Sequence, residues 1–160
     1  MSKFHLSVKF WLIICLSNQI FSAYVSAEIT VDGRLDETEW KQAQRFESFV
    51  ETKPFSLKES TQPTAVLVLT DEKGIYIGFI NEQPWDTRYR RKQERDDLWT
   101  DSDRNFLSID FDGKANMGYF FGVSLGGSMS DGSISSESQN DRDWDGDWEV
   151  KVSESQTHWY

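Results

Sequence analysis

Residues 64–80 read T-A-V-L-V-L-T-D-E-K-G-I-Y-I-G-F-I. Two runs rich in β-branched and aromatic side chains, 64–70 and 75–80, flank Asp71-Glu72-Lys73-Gly74, a polar tetrapeptide that ends in glycine. That combination predicts a β-hairpin. A second hairpin is expected from 106–111 to 119–123 through Asp112-Gly113-Lys114-Ala115-Asn116. In its first strand Leu107, Ile109 and Phe111 alternate with Phe106, Ser108 and Asp110, so one face is buried and the other wetter. Gly126-Gly127 and Asp131-Gly132 close that unit as turn signals, 133–140 reads as a polar loop, and strand signal returns over 144–152. Short strands at turn-punctuated intervals predict an all-β chain, an antiparallel β-sandwich.

Upstream of the hairpins, residues 29–40 read I-T-V-D-G-R-L-D-E-T-E-W. Ile29-Thr30-Val31 predicts a strand and Asp32-Gly33 a turn, while Asp36 and Glu39 stand at capping-box spacing ahead of Trp40 and Ala43. The expected order is strand, turn, and one short N-terminal helix over 37–43. Such a helix is barely two turns, so Trp40 must anchor it against something larger.

Residues 1–27 read as a signal peptide. Lys3 and Lys9 give it a positive start, 10–21 an apolar core, and Val25-Ser26-Ala27 a small residue for cleavage. The apolar run falls well short of the roughly 20 residues of a spanning helix. Ile14 ahead of Cys15 is not the small residue a lipoprotein signal wants. An exported protein is expected, secreted, periplasmic or in the cell envelope, with no membrane insertion by residues 28–160. Loss of Lys3 and Lys9 takes the 17 basic residues to 15 against 27 acidic ones, a net charge of −12 on one 133-residue domain. The single cysteine leaves with the leader, and with it any disulfide or thiol chemistry.

So acidic a domain repels nucleic acid and anionic membranes. The one basic run, Arg88-Tyr89-Arg90-Arg91-Lys92, is followed at once by Glu94, Asp96 and Asp97 and reads as a solvated segment with its own counter-charges. His158 is the only histidine of the mature chain, three residues from the end, a poor place for a hydroxyl–imidazole–carboxylate relay. Carboxylate pairs are so abundant that no spacing among them points to glycosidase chemistry. No catalytic residue is assigned.

Two clusters suggest binding. Asp141, Asp143 and Asp145 with Gly146 match the opening of a calcium loop and are followed by Asp147, but the closing bidentate position falls on Val152. A twisted strand with Trp144, Gly146, Trp148 and Val150 on one face and Asp143, Asp145, Asp147 and Glu149 on the other accounts for the same residues. Structural calcium stays open beside it, and no other cofactor is expected. In the second cluster, Trp99 stands in a polar loop before an acidic strand entry. An indole there offers a plane to the C–H face of a pyranose, and Arg95, Asp96, Asp101 and Asp103 offer forked partners to its hydroxyls. Trp85, behind Gln83-Pro84 at a strand exit, shares that ambiguity between ligand platform and sandwich cap.

From Ile29 onward the chain resembles carbohydrate-binding module family 9, above all the family-9-like domain at the N-terminus of bacterial envelope proteins that end in an outer-membrane barrel. The marks are D-G-x-L-D-E-x-E-W at 32–40, L-T-D-E-K-G-I-Y-I-G at 69–78, R-D at 95–96 with S-D at 102–103 before an aliphatic strand ending in D-x-D, G-Y-x-F at 118–121, G-x-x-x-D-G at 127–132, and W-D-G-D-W-E at 144–149. The resemblance implies a sugar-binding β-sandwich of a kind often attached to glycoside hydrolases, with tryptophans gripping the sugar and calcium serving structure. Trp99 fits the family's aromatic. Ser108 or Asn105 lies where those modules carry a hydrogen-bonding Glu. The family pattern continues beyond the equivalent of His158-Trp159, so the resemblance implies a sandwich missing its last strands and a missing downstream domain.

Two functions therefore stand as expectations. One is a non-catalytic module that binds oligo- or polysaccharide at Trp85, Arg95, Asp96, Trp99 and Asp103, associated with polysaccharide breakdown. The other is a structural domain of an envelope barrel protein that lacks sugar binding. Exposure of Trp85 and Trp99 separates them.

Overall fold

The computed structural model describes residues 29–97, 100–114, 116–136 and 139–160, and the expected leader at 1–27 lies outside them. The decisive hairpin forms as read. β1 (Gln44–Phe46), β2 (Thr64–Thr70) and β3 (Ile75–Glu82) run antiparallel, and β8 (His158–Trp159) adds to the far edge of β3, giving the order β1-β2-β3-β8. The second sheet is an antiparallel meander of β4 (Arg104–Ile109), β5 (Gly118–Ser124), β6 (Met129–Ser136) and β7 (Gln139–Asp141). The chain is all-β, in two four-stranded antiparallel sheets.

Registers show which residues face the space between the sheets. Val66 and Val68 stand opposite Phe79 and Ile77, while Leu107 and Ile109 stand opposite Phe121 and Tyr119. Ile75, Ile77 and Phe79 of the first sheet and Leu107, Ile109 and Phe121 of the second line a common cavity of about 600 Å³, together with Trp148 and Val150. The outer face of the first sheet carries Ala65, Leu67 and Gly78, the last held opposite Leu67. A Cβ on Gly78 would lie 2.7 Å from Leu35 Cδ2 and 3.4 Å from the Trp40 ring, so the missing side chain is what lets both rest on the strand.

Trp40 thus has its larger anchor, but the short helix expected over 37–43 is a five-residue 3-10 turn, Thr38–Gln42. The capping box does not form, because Asp36 pairs with Arg34 at 2.6 Å in solvent. Glu37 instead accepts from the Thr30 amide at 3.0 Å and from Trp40 Nε1 at 2.9 Å, which fixes the indole rather than a helical turn. The strand expected at 29–31 finds no partner strand and is irregular.

Two further expectations are corrected in the second half. Asp131-Gly132 is not a turn, and of the loop expected over 133–140, residues 133–136 and 139–140 are strand while 137–138 lie outside the described residues. The polar run M-S-D-G-S-I-S-S is β6, held by register with β5 from Met129↔Val123 to Ile134↔Gly118, and β7 continues the sheet. Gly132 admits the Phe120 ring, whose Cε1 would lie 2.5 Å from a Cβ there. Cross-strand packing of this kind overrides weak strand propensity. Residues 144–152 do alternate as expected, with Trp144, Gly146, Trp148 and Val150 half-buried and Asp143, Asp145, Asp147 and Glu149 exposed. They form an extended strap without a strand ladder.

Candidate functional site

Two networks of charged and aromatic side chains draw on the residues singled out in the sequence. The first is built where β3 ends. Gln83 is buried and uses both ends of its amide: Nε2 donates to Asp103 Oδ2 at 2.9 Å and to the Thr87 carbonyl at 3.2 Å, and Oε1 accepts from Trp159 Nε1 at 2.9 Å. Asp103 Oδ2 also accepts from the Tyr89 amide at 2.9 Å. This carboxylate therefore pins the 83–89 loop to the entry of β4 and to β8.

Trp85 opens a 3-10 turn, Trp85–Thr87, directly behind Pro84. Its side chain is 47% exposed. The guanidinium carbon of Arg90 lies 4.4 Å from its ring centroid and that of Arg88 5.4 Å, both within cation–π range. Arg88 is almost wholly buried and donates to the Gln83 carbonyl, the Ser155 carbonyl and Glu154 Oε2. Arg90 donates to the same Glu154 oxygen from a half-exposed position. Trp85 is thus a presented indole on a rigid charged base, with the exposed ring of Tyr89 nearby in sequence.

The second network centres on Asp131, which is 0% exposed. Its Oδ1 meets Arg95 Nη2 at 2.5 Å; its Oδ2 accepts from the Gly146 amide at 2.6 Å and Trp148 Nε1 at 3.2 Å. Arg95 also lies 3.1 Å from Asp145 and 3.6 Å from Asp96. Asp96 adopts a left-handed backbone, φ 62°, and its Oδ1 accepts from the Asp131 amide at 3.0 Å. The strap's tryptophans close over this centre in an aromatic ladder: Tyr119 to Trp144 at 4.6 Å, Phe121 to Trp144 at 5.9 Å and Phe121 to Trp148 at 5.4 Å.

Arg95 and Asp96 are therefore brought together, Asp103 belongs with Trp85 in the other network, and Trp99 lies outside the described residues. Asp145 is the one member of the Asp141, Asp143, Asp145 and Asp147 series that joins the Asp131 centre. Carboxylate oxygens of Asp96, Asp131 and Asp145 lie within 4.8 Å of one another, a spacing compatible with a cation. The Arg95 guanidinium contacts all three and supplies that positive charge. Calcium at millimolar concentration is accordingly expected to leave the melting temperature within about 1 °C of its value in chelator, since mass action stabilises only where the ion has a site to fill. A calcium-specific rise of several degrees in a thermal melt would overturn this assignment of Arg95.

Sequence reasoning missed Gln83, Glu154 and the burial of Asp131. Trp159 offered one cue, because a buried indole N–H needs an acceptor. Asp131 carried none, since D-G reads as a turn. Among the described residues no helix is long and apolar enough to cross a membrane. Compared with protein-family models, curated proteins and solved structures, the chain has no match, so the family resemblance rests on its motifs alone.

Proposed function

We infer that this domain is a non-catalytic carbohydrate-binding module of an exported protein, serving polysaccharide breakdown through contact with the substrate rather than chemistry on it. The observation that supports this reading is Trp85, a half-exposed indole with a half-exposed Arg90 at its ring and a buried Arg88–Glu154 pair beneath. A pyranose packs its C–H face on an exposed indole, and the guanidinium stacked over the Trp85 ring offers N–H donors to sugar hydroxyls. Rigid mounting lowers the entropy lost on binding.

Trp85→Ala is expected to weaken binding to xylan, glucan or chitin oligosaccharides by about 30-fold, the usual scale of roughly 2 kcal/mol for truncating an aromatic hot spot. Calorimetry or affinity electrophoresis on the folded variant measures it. Unchanged binding in Trp85→Ala with loss in Trp99→Ala would move the site to the 95–103 loop; retention of binding by both variants would remove it from these tryptophans.

One observation favours a structural domain of an envelope protein without a ligand. Arg95, Asp96 and Asp103, the expected partners of sugar hydroxyls, all hold the fold together. Failure of the wild-type protein to bind any of the three sugars would support that second reading.

A further inference from the structure

We propose that the ligand at Trp85 is an acidic sugar, a uronate whose carboxylate is taken by Arg90; this rests on the carbohydrate-binding reading above and names the class of glycan within it. Arg88 and Arg90 both reach the Trp85 ring and both donate to Glu154 Oε2, so one carboxylate serves two guanidinium groups. Arg88 is buried and spends its donors on the protein. Its Nε and Nη2 donate to the Gln83 carbonyl at 3.0 and 2.6 Å, and its Nη1 to the Ser155 carbonyl at 2.9 Å and to Glu154 at 3.1 Å. Arg90 is 41% exposed, and among the described residues the one bond of its side chain runs from Nη2 to Glu154. A single bond through Nη2 blocks at most one of the two forked edges of a guanidinium, so the other stays whole.

The neighbours of Arg90 add to the imbalance. From Trp85 to Lys92 the chain carries four cations, Arg88, Arg90, Arg91 and Lys92, and one acid, Asp86, to which the fold adds Glu154. Arg91 and Lys92 are exposed. Asp96 and Asp97, expected as counter-charges of this run, are used elsewhere: Asp96 lies 3.6 Å from Arg95 and accepts from the Asp131 amide, and Asp97 accepts from the Thr100 amide at 3.1 Å.

A neutral pyranose needs only hydroxyl partners beside an indole, and amide or hydroxyl side chains supply them without the desolvation that a charge costs. A guanidinium with charge to spare suits a different group. With its central carbon 4.4 Å from the ring centroid, Arg90 occupies the layer in which a sugar packed on the same face lies. A uronate carries its carboxylate at the rim of that layer, where a neutral hexose carries a hydroxymethyl group. Planar carboxylate and planar guanidinium then meet edge to edge in a two-pronged pair. The chain's net charge of −10 opposes a polyanion at long range, but beyond about 8 Å it is screened, and the contact is decided by this patch. An acidic peptide would fill the fork and leave the indole plane bare.

The test is calorimetric titration of the full 160-residue chain with trigalacturonate and with triglucuronate, each beside its methyl ester, which keeps the ring and removes the charge. The better acid is expected to bind about tenfold tighter than its ester, the margin of a charge-assisted fork over neutral bonds. Arg90→Gln should bring the acid down to the affinity of the ester, and Trp85→Ala should weaken both forms, with circular dichroism showing each variant folded. An ester bound as tightly as its acid, or xylan, glucan or chitin oligosaccharides bound with neither acid bound, would overturn the acidic-sugar assignment and leave the carbohydrate reading standing. No binding of any of these sugars would overturn both. Acid binding that survives Trp85→Ala, or that a pentaglutamate peptide matches, would reduce the patch to charge attraction and overturn the proposal.

Discussion

Asp131→Ala is expected to lower the free energy of unfolding by about 3 kcal/mol, read as a shift of the urea midpoint followed by tryptophan fluorescence. The carboxylate is wholly buried and satisfies three donors on two segments: Arg95 before β4, and Gly146 and Trp148 on the strap. Removing an acceptor leaves each buried donor to bear its own desolvation, about 1–3 kcal/mol, and breaking a buried charge pair costs about 3–5 kcal/mol. The lower end applies because Arg95 is 42% exposed and can turn to Asp145 and water. Asp131→Asn keeps an oxygen for the Gly146 amide but sets an NH2 group or a neutral oxygen against the guanidinium, so it should fall between wild type and alanine. A loss below about 1 kcal/mol for the alanine variant would mean that the aromatic ladder, not this carboxylate, holds the strap down.

Trp40→Ala is expected to cost about 3–5 kcal/mol, the range for emptying an aromatic side chain from a core. The indole is 8% exposed and packs with Leu35 over Gly78. Trp40→Phe separates packing from hydrogen bonding: the ring remains, the Nε1 bond to Glu37 is lost, and the expected cost drops to about 1 kcal/mol. Equal losses in the two variants, measured by thermal and urea unfolding, would show that the bond to Glu37 and not the packed ring anchors the 3-10 turn.

What could be read from the sequence was local. The β2–β3 and β4–β5 hairpins are announced by a period of two and by turn residues at the right offset, signals that need no knowledge of the rest of the chain. β6 is not legible in this way. Its buried members Ser130, Asp131 and Gly132 have poor strand propensity, and they are buried only because β5 pairs on one side and Arg95 and the strap supply donors from elsewhere. The same divide runs through the candidate site. Arg95 and Asp96 are neighbours in sequence and stay together, whereas Asp103 is carried to Gln83 and Tyr89 by the path of the loop from 83 to 103. The alternation of 143–150 was visible, but whether an alternating segment is laddered or spans a gap depends on what stands beside it.

The bond from Ser153 Oγ to the Gly33 carbonyl spans 120 residues of sequence, and the Asn81 side chain reaches Trp159 across 78. Closure of such contacts has to wait for the later partner to be made. At about 5–20 residues per second of synthesis, the Gly33 loop and the β2–β3 hairpin stand without them for on the order of 10 s. During that interval the isoleucine-rich edge of β3 is a template for wrong pairing, and the high mean sequence separation of the final contacts slows the last step of folding as well. The order of synthesis, as much as the finished fold, thus exposes this one strand to its neighbours in the cell.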